Sequence, residues 1–459
     1  MYIQNRHEKE MGTWKWGILA LVILAPFFFL TYGFANQYAA GLNNVPSIFF
    51  AWEKYIPLWP WTIVPYWSID LFYGLSLLLC WTKFELKQQV LRLFSAQLIS
   101  ISCFMLFPLK FSFERPELHG FFGVWFDVLM GFDKPFNQAP SLHIVLLVIL
   151  WDFYRRHLTG NWKYLVNCWC FLIGLSVLTT WQHHFIDIPA GLIVGALCIW
   201  LFPLNVLAPW QKDPQQPLTP QNWKLASYYA IGTSLLCLLA YLLQPIGLWL
   251  LYPALSLLLV SVAYFLGRPH FFQKQSDGHI NPASYFLFAP YFLFAWLNSR
   301  VWTKKHPEDS AVIQLQNCEI YLGRIPTKKH LQSQYDAFFD CCAELPTFTH
   351  AQRQQFYSLD LIPLHANQLA IASNHFAQLI QQQTQENLPH LQKKLLISCA
   401  LGYSRSSSIL VAYLLQSGQV QSVDEAIQMI QTARPWIVLK DAQRQQLQIY
   451  HLKLQGLAP

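Results

Sequence analysis

The chain has 459 residues, of which 54% are hydrophobic and only 12% are charged, and its formal net charge is +7 at pH 7. This composition excludes an ordinary soluble globular protein, and the dispersed basic residues argue against a nucleic-acid-binding protein. Apolar runs long enough to cross a bilayer recur until about residue 302, after which the chain is polar and rich in glutamine. We therefore expect a multi-span helical membrane domain over residues 1–302 and a separate domain over residues 303–459.

The membrane domain is predicted to contain about eight spans and one short interfacial or re-entrant helix. Six spans lie between about residues 16 and 207, and the core of the domain covers about residues 60–207. A hairpin of two further spans follows over residues 224–267. The last apolar run, residues 283–302, is short and carries Pro290, so we expect it to lie in the interface or to re-enter rather than to cross.

Basic residues predict how the spans are oriented. Lys9 and Lys15 place the N-terminus in the cytoplasm, and alternation then puts residues 110–143 and 181–187 on the same outer face. Lys304 and Lys305 directly follow the last apolar run and favour a cytoplasmic C-terminal domain. We expect an integral protein of a bacterial inner membrane.

Polar residues from two separate parts of the outer face form a candidate site. His183 and Asp187 are four residues apart, so one helical turn lets the carboxylate orient and charge the imidazole. A second histidine, His143, can supply an acid, and Lys110 and Arg115 can clamp a phosphate. The alternative is that these histidines are only anchors at the level of the lipid headgroups.

This cluster resembles the type-2 phosphatidic acid phosphatase superfamily. Lys110 with Arg115-Pro116, the run Pro140-Ser141-Leu142-His143, and His183 with Asp187 correspond to its three motifs, but Val177 stands where the third motif has an Arg. The pattern is more similar to the branch that contains inositol-phosphoceramide and sphingomyelin synthases.

The resemblance implies a role for each of these residues. His183 would form a phosphohistidine, Asp187 would orient it, and His143 would protonate the leaving group. Phosphate-binding roles would fall to Lys110, Arg115 and Ser141. Because the motif Arg is absent, transfer of a phospho-headgroup onto a lipid hydroxyl is an alternative to hydrolysis.

The C-terminal domain carries a second candidate site. An apolar run ends at Cys399, a short loop contains Gly402, and Arg405 begins a second apolar run of helical character. A strand, a loop and a helix N-terminus in this order form an anion site, because the loop and first-turn N–H groups are unpaired donors. A thiol held there is expected to be a low-pKa thiolate, and Arg405 can grip two phosphate oxygens. This equipment predicts a cysteinyl-phosphate intermediate.

This stretch resembles the protein-tyrosine and dual-specificity phosphatase superfamily, whose signature is Cys, five residues, Arg, then Ser or Thr. Cys399, Gly402, Arg405 and Ser406 fit it, and the resemblance implies an α/β cysteine-phosphatase domain whose loop, including Ser404, binds phosphate. Ser398 replaces the His that usually precedes the nucleophile. The general acid expected upstream is Asp360 or His365, since either could protonate a leaving oxygen, and His365 occupies the position that the acid usually has in the family.

Together, the two sites predict a bifunctional membrane phosphatase that hydrolyses phosphomonoesters of lipids. The first alternative is a phospho-headgroup transferase coupled to a lipid or protein phosphotyrosine phosphatase, and the second is that one site is a degenerate binding module. A phosphoprotein is the alternative substrate of the Cys399 site. Both mechanisms proceed without a metal or a cofactor, and the chain has no nucleotide-binding loop.

Overall fold

The computed structural model describes residues 9–211, 217–315, 317–348, 352–385 and 392–457. The chain divides into two compact units, one up to Asn205 and the other from Val206 onward. From residue 9 onward the regular elements of the first unit are all helices, and the second unit contains helices and a β-sheet.

The helices of the first unit are rich in apolar residues, and many of their large side chains face outward. Leu30, for example, is 73% exposed, as expected for a helix whose surroundings are as apolar as its own surface. The helices are α1 (Thr13–Ala40), α2 (Ile63–Leu78), α3 (Lys83–Leu106), α4 (Gly120–Phe132), α5 (Leu142–His157), α6 (Trp162–Thr179) and α7 (Asp187–Leu201). A buried ion pair between Arg92 and Asp152, with 3.0 Å between Nη1 and Oδ2, joins α3 to α5.

The second unit begins with three helices: α8 (Pro220–Leu242), α9 (Leu251–Phe265) and α10 (Pro282–Trp302). Helices α8 and α9 form an antiparallel hairpin, in which the Asn222 amide donates a hydrogen bond to the Tyr264 carbonyl over 3.1 Å. The Ser261 hydroxyl likewise donates to the Ala226 carbonyl over 2.8 Å. Helix α10 packs against α9.

Five helices among the described residues are long and apolar enough to cross a membrane. They cover residues 13–40, 83–106, 162–179, 220–242 and 246–265. The prediction of about eight spans is therefore not confirmed. Helices α2, α5 and α7, which occupy the other predicted positions, have only 15 or 16 residues each. The apolar part of α5 is shorter still, because Arg155 and Arg156 belong to its last turn.

A five-stranded sheet forms the centre of the C-terminal domain. Its strands are β1 (Ser310–Gln314), β2 (Cys318–Arg324), β3 (Ala337–Cys342), β4 (Arg353–Ser358) and β5 (Lys393–Cys399). The order is β1-β2-β5-β3-β4, and only β1 runs antiparallel to its neighbour. The apolar run before Cys399 forms the central strand β5, because a parallel strand covered on both faces needs a continuous hydrophobic sequence.

Helices cover both faces of this sheet. They are α11 (Lys328–Gln334), α12 (Ala366–Gln385), α13 (Arg405–Gln416), α14 (Val423–Ala433) and α15 (Asp441–Leu454). Alternate strand residues point to opposite faces, so Phe339 and Ile397 pack in the core with α12–α15. Their neighbours Phe338 and Leu396 pack with Leu331 of α11 on the other face. The expected mixed α/β domain is confirmed, and its central strand ends at Cys399.

Candidate active sites

Cys399 lies where the central strand β5 ends and is 3% exposed. Its Sγ accepts a hydrogen bond from the Gly402 N–H over 3.2 Å and one from the Ser406 hydroxyl over 3.3 Å. Helix α13 begins at Arg405, so its unpaired N–H groups are at the same place. The sulfur therefore sits among donors, as the sequence predicts.

The carbonyl groups of the loop that follows Cys399 all have partners outside the loop. Ala400 O accepts from the Ser299 hydroxyl over 2.6 Å, and Gly402 O accepts from Arg434 Nε over 3.0 Å. Tyr403 O accepts from the N–H of Val438 over 2.8 Å. Because these acceptors are occupied, the loop is held in a conformation that leaves its N–H groups available to an anion.

Arg405 is buried and holds four oxygen atoms. Its two terminal nitrogens donate to the two Glu344 carboxylate oxygens over 2.8 and 2.5 Å. The Ser358 carbonyl lies at 2.8 Å and Asp360 Oδ1 at 3.1 Å. Among the described residues Nε has no hydrogen-bond partner, so it is a free donor in the site. A phosphate that displaces the Asp360 carboxylate would meet Nε and Nη2 as a fork.

The charges around Cys399 favour its thiolate. Burial disfavours the thiolate, but Arg405 and hydrogen bonds from Ser406 outweigh this effect and lower the pKa of Cys399. At Asp360, burial and the nearby Glu344 carboxylate raise the pKa, although Arg405 opposes them. The site therefore pairs a group that loses its proton easily with one that keeps it, as nucleophilic attack with general-acid assistance requires.

The structure separates the two candidates for the general acid. The Asp360 carboxylate contacts Arg405, and the next residue, Leu361, has a left-handed φ of +59°. His365 lies just before α12, where its N–H donates to Gln368 and its carbonyl accepts from Leu369. Of the two, the structure brings Asp360 to the pocket.

Sequence reasoning missed Glu344, the carboxylate that holds Arg405. This residue lies in the loop after β3, 55 positions before Cys399, and no local pattern marks it. Ser398, at the position of the usual His, is buried, and its hydroxyl has no hydrogen-bond partner among the described residues.

Gly402 is required by its surroundings. Its φ is +72°, and a Cβ added there would lie 2.3 Å from the Gly323 carbonyl oxygen. We predict that Gly402→Ala lowers hydrolysis of a soluble aryl phosphate by at least about tenfold and destabilises the domain by more than the roughly 1–3 kcal/mol of left-handed strain alone.

Gly418→Ala is the matched control for this substitution, because Gly418 has φ +69° but open space around its Cβ position. Thermal unfolding and phosphate release would be measured for both variants. Equal losses of stability and activity would show that the contact with Gly323 is unimportant.

The second predicted cluster forms in the first unit. His183 Nδ1 lies 3.3 Å from Asp187 Oδ2, and the same oxygen accepts the N–H of His184 over 3.0 Å. The Asp187 carbonyl accepts the N–H of Ser141 over 3.1 Å, which joins the two sequence motifs. His143, two residues after Ser141, stacks its ring on that of Tyr66 with 3.9 Å between the centroids.

The adjacent histidine, His184, has a different environment. Its Nδ1 lies 2.9 Å from Glu53 Oε2, and its Nε2 accepts the Ser112 N–H over 3.1 Å. The rings of His183 and His184 and the Glu53 carboxylate are buried. The contacts of His184 with Glu53 and Ser112 therefore join these two segments to the start of α7. Glu53 was missed, since nothing in its sequence neighbourhood distinguishes it from an interfacial residue.

The three predicted phosphate-binding residues of this cluster differ in exposure. Lys110 is exposed, and Arg115 is partly buried and donates to the Trp181 carbonyl over 2.9 Å. Ser141 is fully buried, and its hydroxyl has no partner among the described residues. A further acid of the same outer loop, Asp133, to which the sequence analysis gave no role, is buried and accepts from the Tyr32 hydroxyl over 2.7 Å.

Comparison with protein families gives one match, over residues 320–453, to the model described as dual specificity phosphatase, catalytic domain. Curated proteins give no match. Among solved structures, PTPMT1 in complex with PI(5)P is 17% identical, with 30% of this chain and 92% of that chain covered and a TM-score of 0.24. Human DUSP28 is 18% identical, with 30% and 95% covered and a TM-score of 0.25.

A mouse dual specificity phosphatase complexed with zinc tungstate is 20% identical, with 33% of this chain and 93% of that chain covered and a TM-score of 0.26. These three likenesses say nothing about the substrate of this chain. The family match begins within β2, includes the Cys399 loop and ends in α15. The C-terminal part of this chain is thus a dual-specificity phosphatase catalytic domain, which makes the protein a phosphoric monoester hydrolase.

Proposed function

We propose that the chain is a bifunctional membrane phosphatase that hydrolyses phosphomonoesters of lipids at two sites. One site uses Cys399 and passes through a cysteinyl-phosphate, and the other uses His183 and passes through a phosphohistidine. The observation that carries the proposal is that Arg405 contacts Asp360 and lowers the pKa of Cys399, which brings nucleophile, phosphate ligand and acid together. We further propose that the protein lies in a bacterial inner membrane with its C-terminal domain in the cytoplasm.

At the Cys399 site each group has one task. The thiolate attacks phosphorus while Asp360 protonates the leaving alcohol oxygen, and the resulting thiophosphate is then hydrolysed by water. Arg405 and the loop N–H groups hold the three remaining phosphate oxygens and stabilise the charge of the transition state. Glu344 keeps the guanidinium in place, because its two carboxylate oxygens fix the plane of the fork.

The contact between His183 and Asp187 supports a second site of the type-2 phosphatidic acid phosphatase kind. Asp187 fixes the orientation of the imidazole through Nδ1 and leaves Nε2 to attack phosphorus. His143 is the proposed acid, and Lys110, Arg115 and Ser141 are the proposed phosphate ligands. The reaction forms a phosphohistidine and releases a lipid alcohol, and water then releases the phosphate.

A membrane-lipid substrate is supported by the covalent attachment of both sites to apolar helices. Five helices are long and apolar enough to cross a bilayer, and two of them, α8 and α9, belong to the same compact unit as the Cys399 domain. Tethering raises the effective concentration of membrane substrates and lowers access to distant ones.

Headgroup transfer is the second candidate function of the His183 site. Val177, at the place of the motif Arg, is fully buried, packs in an apolar cluster, and accepts the His183 N–H through its carbonyl over 3.1 Å. No cation occupies this position to hold a free phosphate product. A lipid hydroxyl could then replace water as the acceptor of the phosphohistidine.

The test is release of inorganic phosphate from phosphatidate and phosphatidylglycerophosphate by the full purified chain. We expect Cys399→Ser and His183→Ala each to remove a different part of the activity, by about 10⁴-fold or more for the part concerned. Cys168→Ser and His279→Ala are matched controls, because both residues are exposed.

Each other outcome would change the proposal. A new phosphodiester lipid without free phosphate, lost in His183→Ala, would assign headgroup transfer to the membrane site. Lipid phosphate that stays bound without turnover at either site would make that site a binding module. Unchanged activity in Cys399→Ser would refute the function of the Cys399 site.

A further inference from the structure

Three segments of the Cys399 site each accept a hydrogen bond from the helical region that precedes the domain. In every case a buried side chain of residues 264–299 donates a hydrogen bond to a main-chain carbonyl next to a proposed catalytic group. The three pairs are Ser299 Oγ with Ala400 O at 2.6 Å, Tyr264 Oη with Asp360 O at 3.2 Å, and Lys274 Nζ with Cys342 O at 2.7 Å. All three donors are at most 8% exposed, so water cannot easily replace them.

Each of the three carbonyls lies in or near a residue with a different role in the proposed mechanism. Ala400 follows the nucleophile, Asp360 is the proposed acid, and Cys342 lies two residues before Glu344, which holds Arg405. Lys274 also forms a buried ion pair with Asp340, with 2.6 Å between Nζ and Oδ2. The helical region therefore touches the nucleophile loop, the acid loop and the Arg405 support separately.

A cluster of tyrosines lies on the acid side of the pocket. The ring of Tyr229 on α8 is 5.4 Å from that of Tyr264 on α9 and 5.9 Å from that of Tyr291 on α10. The Tyr264 hydroxyl donates to the Asp360 carbonyl, so the cluster adjoins the segment that carries the proposed acid. Because a general acid must reach the leaving oxygen, we place the tyrosines on the side where the leaving group departs.

Both ends of helix α10 lie against the Cys399 domain. The loop before it contacts Cys342 through Lys274, and its last turns contact Ala400 through Ser299. A helix with both ends on one domain does not cross the bilayer. Its outward side chains are large and apolar and include Tyr285, Leu293, Phe294, Trp296, Val301 and Trp302. Exposed aromatic residues of this kind favour the membrane interface.

We infer that helices α8–α10 complete the Cys399 site. Ser299, Tyr264 and Lys274 are positioning residues for its three catalytic segments, and the tyrosine cluster forms its leaving-group side, next to a hairpin apolar enough to span the bilayer. The leaving alcohol is therefore a membrane lipid that remains beside the hairpin, and a folded phosphoprotein is excluded. The inference rests on the proposed hydrolysis of phosphomonoesters by Cys399.

Two hydroxyl deletions in the full chain test the positioning roles separately. Tyr264→Phe removes the donor to the Asp360 carbonyl and keeps the ring, so in His183→Ala protein we expect kcat for vesicle-borne phosphatidate to fall about three- to tenfold. The alkaline limb of the pH profile shifts in the same variant, while the pH dependence of Cys399 alkylation stays as in the wild type. Ser299→Ala should give the opposite pattern, with slower alkylation of Cys399 at neutral pH and an unchanged alkaline limb.

Tyr228→Phe and Ser234→Ala are the matched controls, because both residues are exposed on α8. A general structural role would move both profiles together in each variant or leave both unchanged, and either result would overturn the inference. Thermal unfolding of all four variants separates lost stability from lost positioning.

The inferred lipid substrate is tested by comparing the turnover of phosphatidate in vesicles with that of a phosphotyrosine peptide. His183→Ala protein is used, so that only the activity of the Cys399 site is measured. We expect the lipid to be preferred by at least about 100-fold in kcat/KM, and Tyr229→Ala to reduce lipid turnover more than that of p-nitrophenyl phosphate. Equal turnover of peptide and lipid would overturn the inference. Loss of none of these activities in Cys399→Ser would instead overturn the proposed function.

Discussion

Replacing Arg405 by Lys is expected to lower turnover at the Cys399 site by on the order of 10³- to 10⁴-fold, even though the charge is kept. An ammonium cannot offer the planar fork that holds two phosphate oxygens, nor can it meet both Glu344 oxygens at once. The ammonium is also not held by both Glu344 oxygens at the place from which the guanidinium lowers the pKa of Cys399, so it stabilises the thiolate less and the thiol keeps its proton to higher pH. Phosphate release in the His183→Ala background measures the first effect.

Alkylation of Cys399 by iodoacetamide as a function of pH measures the second effect. In Arg405→Lys the alkylation profile should move to higher pH, whereas Arg444→Lys, a change at an exposed ion pair, should leave it in place. Because the change leaves the buried Glu344 poorly paired, the double variant Arg405→Lys with Glu344→Gln controls for misfolding. An alkylation profile that does not move in either variant would show that another group stabilises the thiolate.

The Cys399 loop could be predicted from sequence because everything that makes it is local. The apolar run of β5, Gly402 and the helix that begins at Arg405 are contiguous, and their order alone implies N–H groups that converge on the thiol. The structure also gives a steric reason for the glycine at position 402, since this residue lies against Gly323 of the neighbouring strand.

The supports of the site could not be predicted, because they come from distant parts of the chain. Glu344 reaches Arg405 only because β3 lies beside β5 in the sheet, and strand order is not a local property. Ser299 and Tyr264 sit in apolar runs whose composition indicates only burial or lipid contact. Their hydrogen-bond partners follow from tertiary packing, which no spacing rule in a single sequence encodes.

The number of spans illustrates a different limit. Hydropathy identifies apolar stretches, but the polar residues at their ends set the helix length, and α2, α5 and α7 are each too short to meet a length criterion for crossing. Two of these short helices carry the polar cluster, since Asp187 begins α7 and His143 lies in the first turn of α5. Polar residues clustered at helix ends therefore weaken the signal by which spans are counted.

The pH dependence of the Cys399 site follows from two opposite shifts. Activity needs the thiolate, whose fraction increases as pH rises through the lowered pKa of Cys399, and it needs protonated Asp360, which is lost as pH rises through its raised pKa. The profile of kcat/KM should therefore rise and then fall. In Asp360→Asn the falling limb should disappear, because the side chain that loses its proton is gone.

The same variant should lower the maximal rate on alkyl phosphates by roughly 10²- to 10⁴-fold but hardly affect aryl phosphates, whose leaving group needs no proton. The rising limb should stay in place, because Asp360 is protonated and uncharged in the pH range where the Cys399 thiolate forms. His365→Ala is the control and should keep both limbs. If the falling limb persists in Asp360→Asn and disappears in His365→Ala, then His365 is the acid, and its place before α12 must change when substrate binds. Since Asp360 also contacts Arg405, it must exchange that contact for the leaving oxygen when phosphate binds.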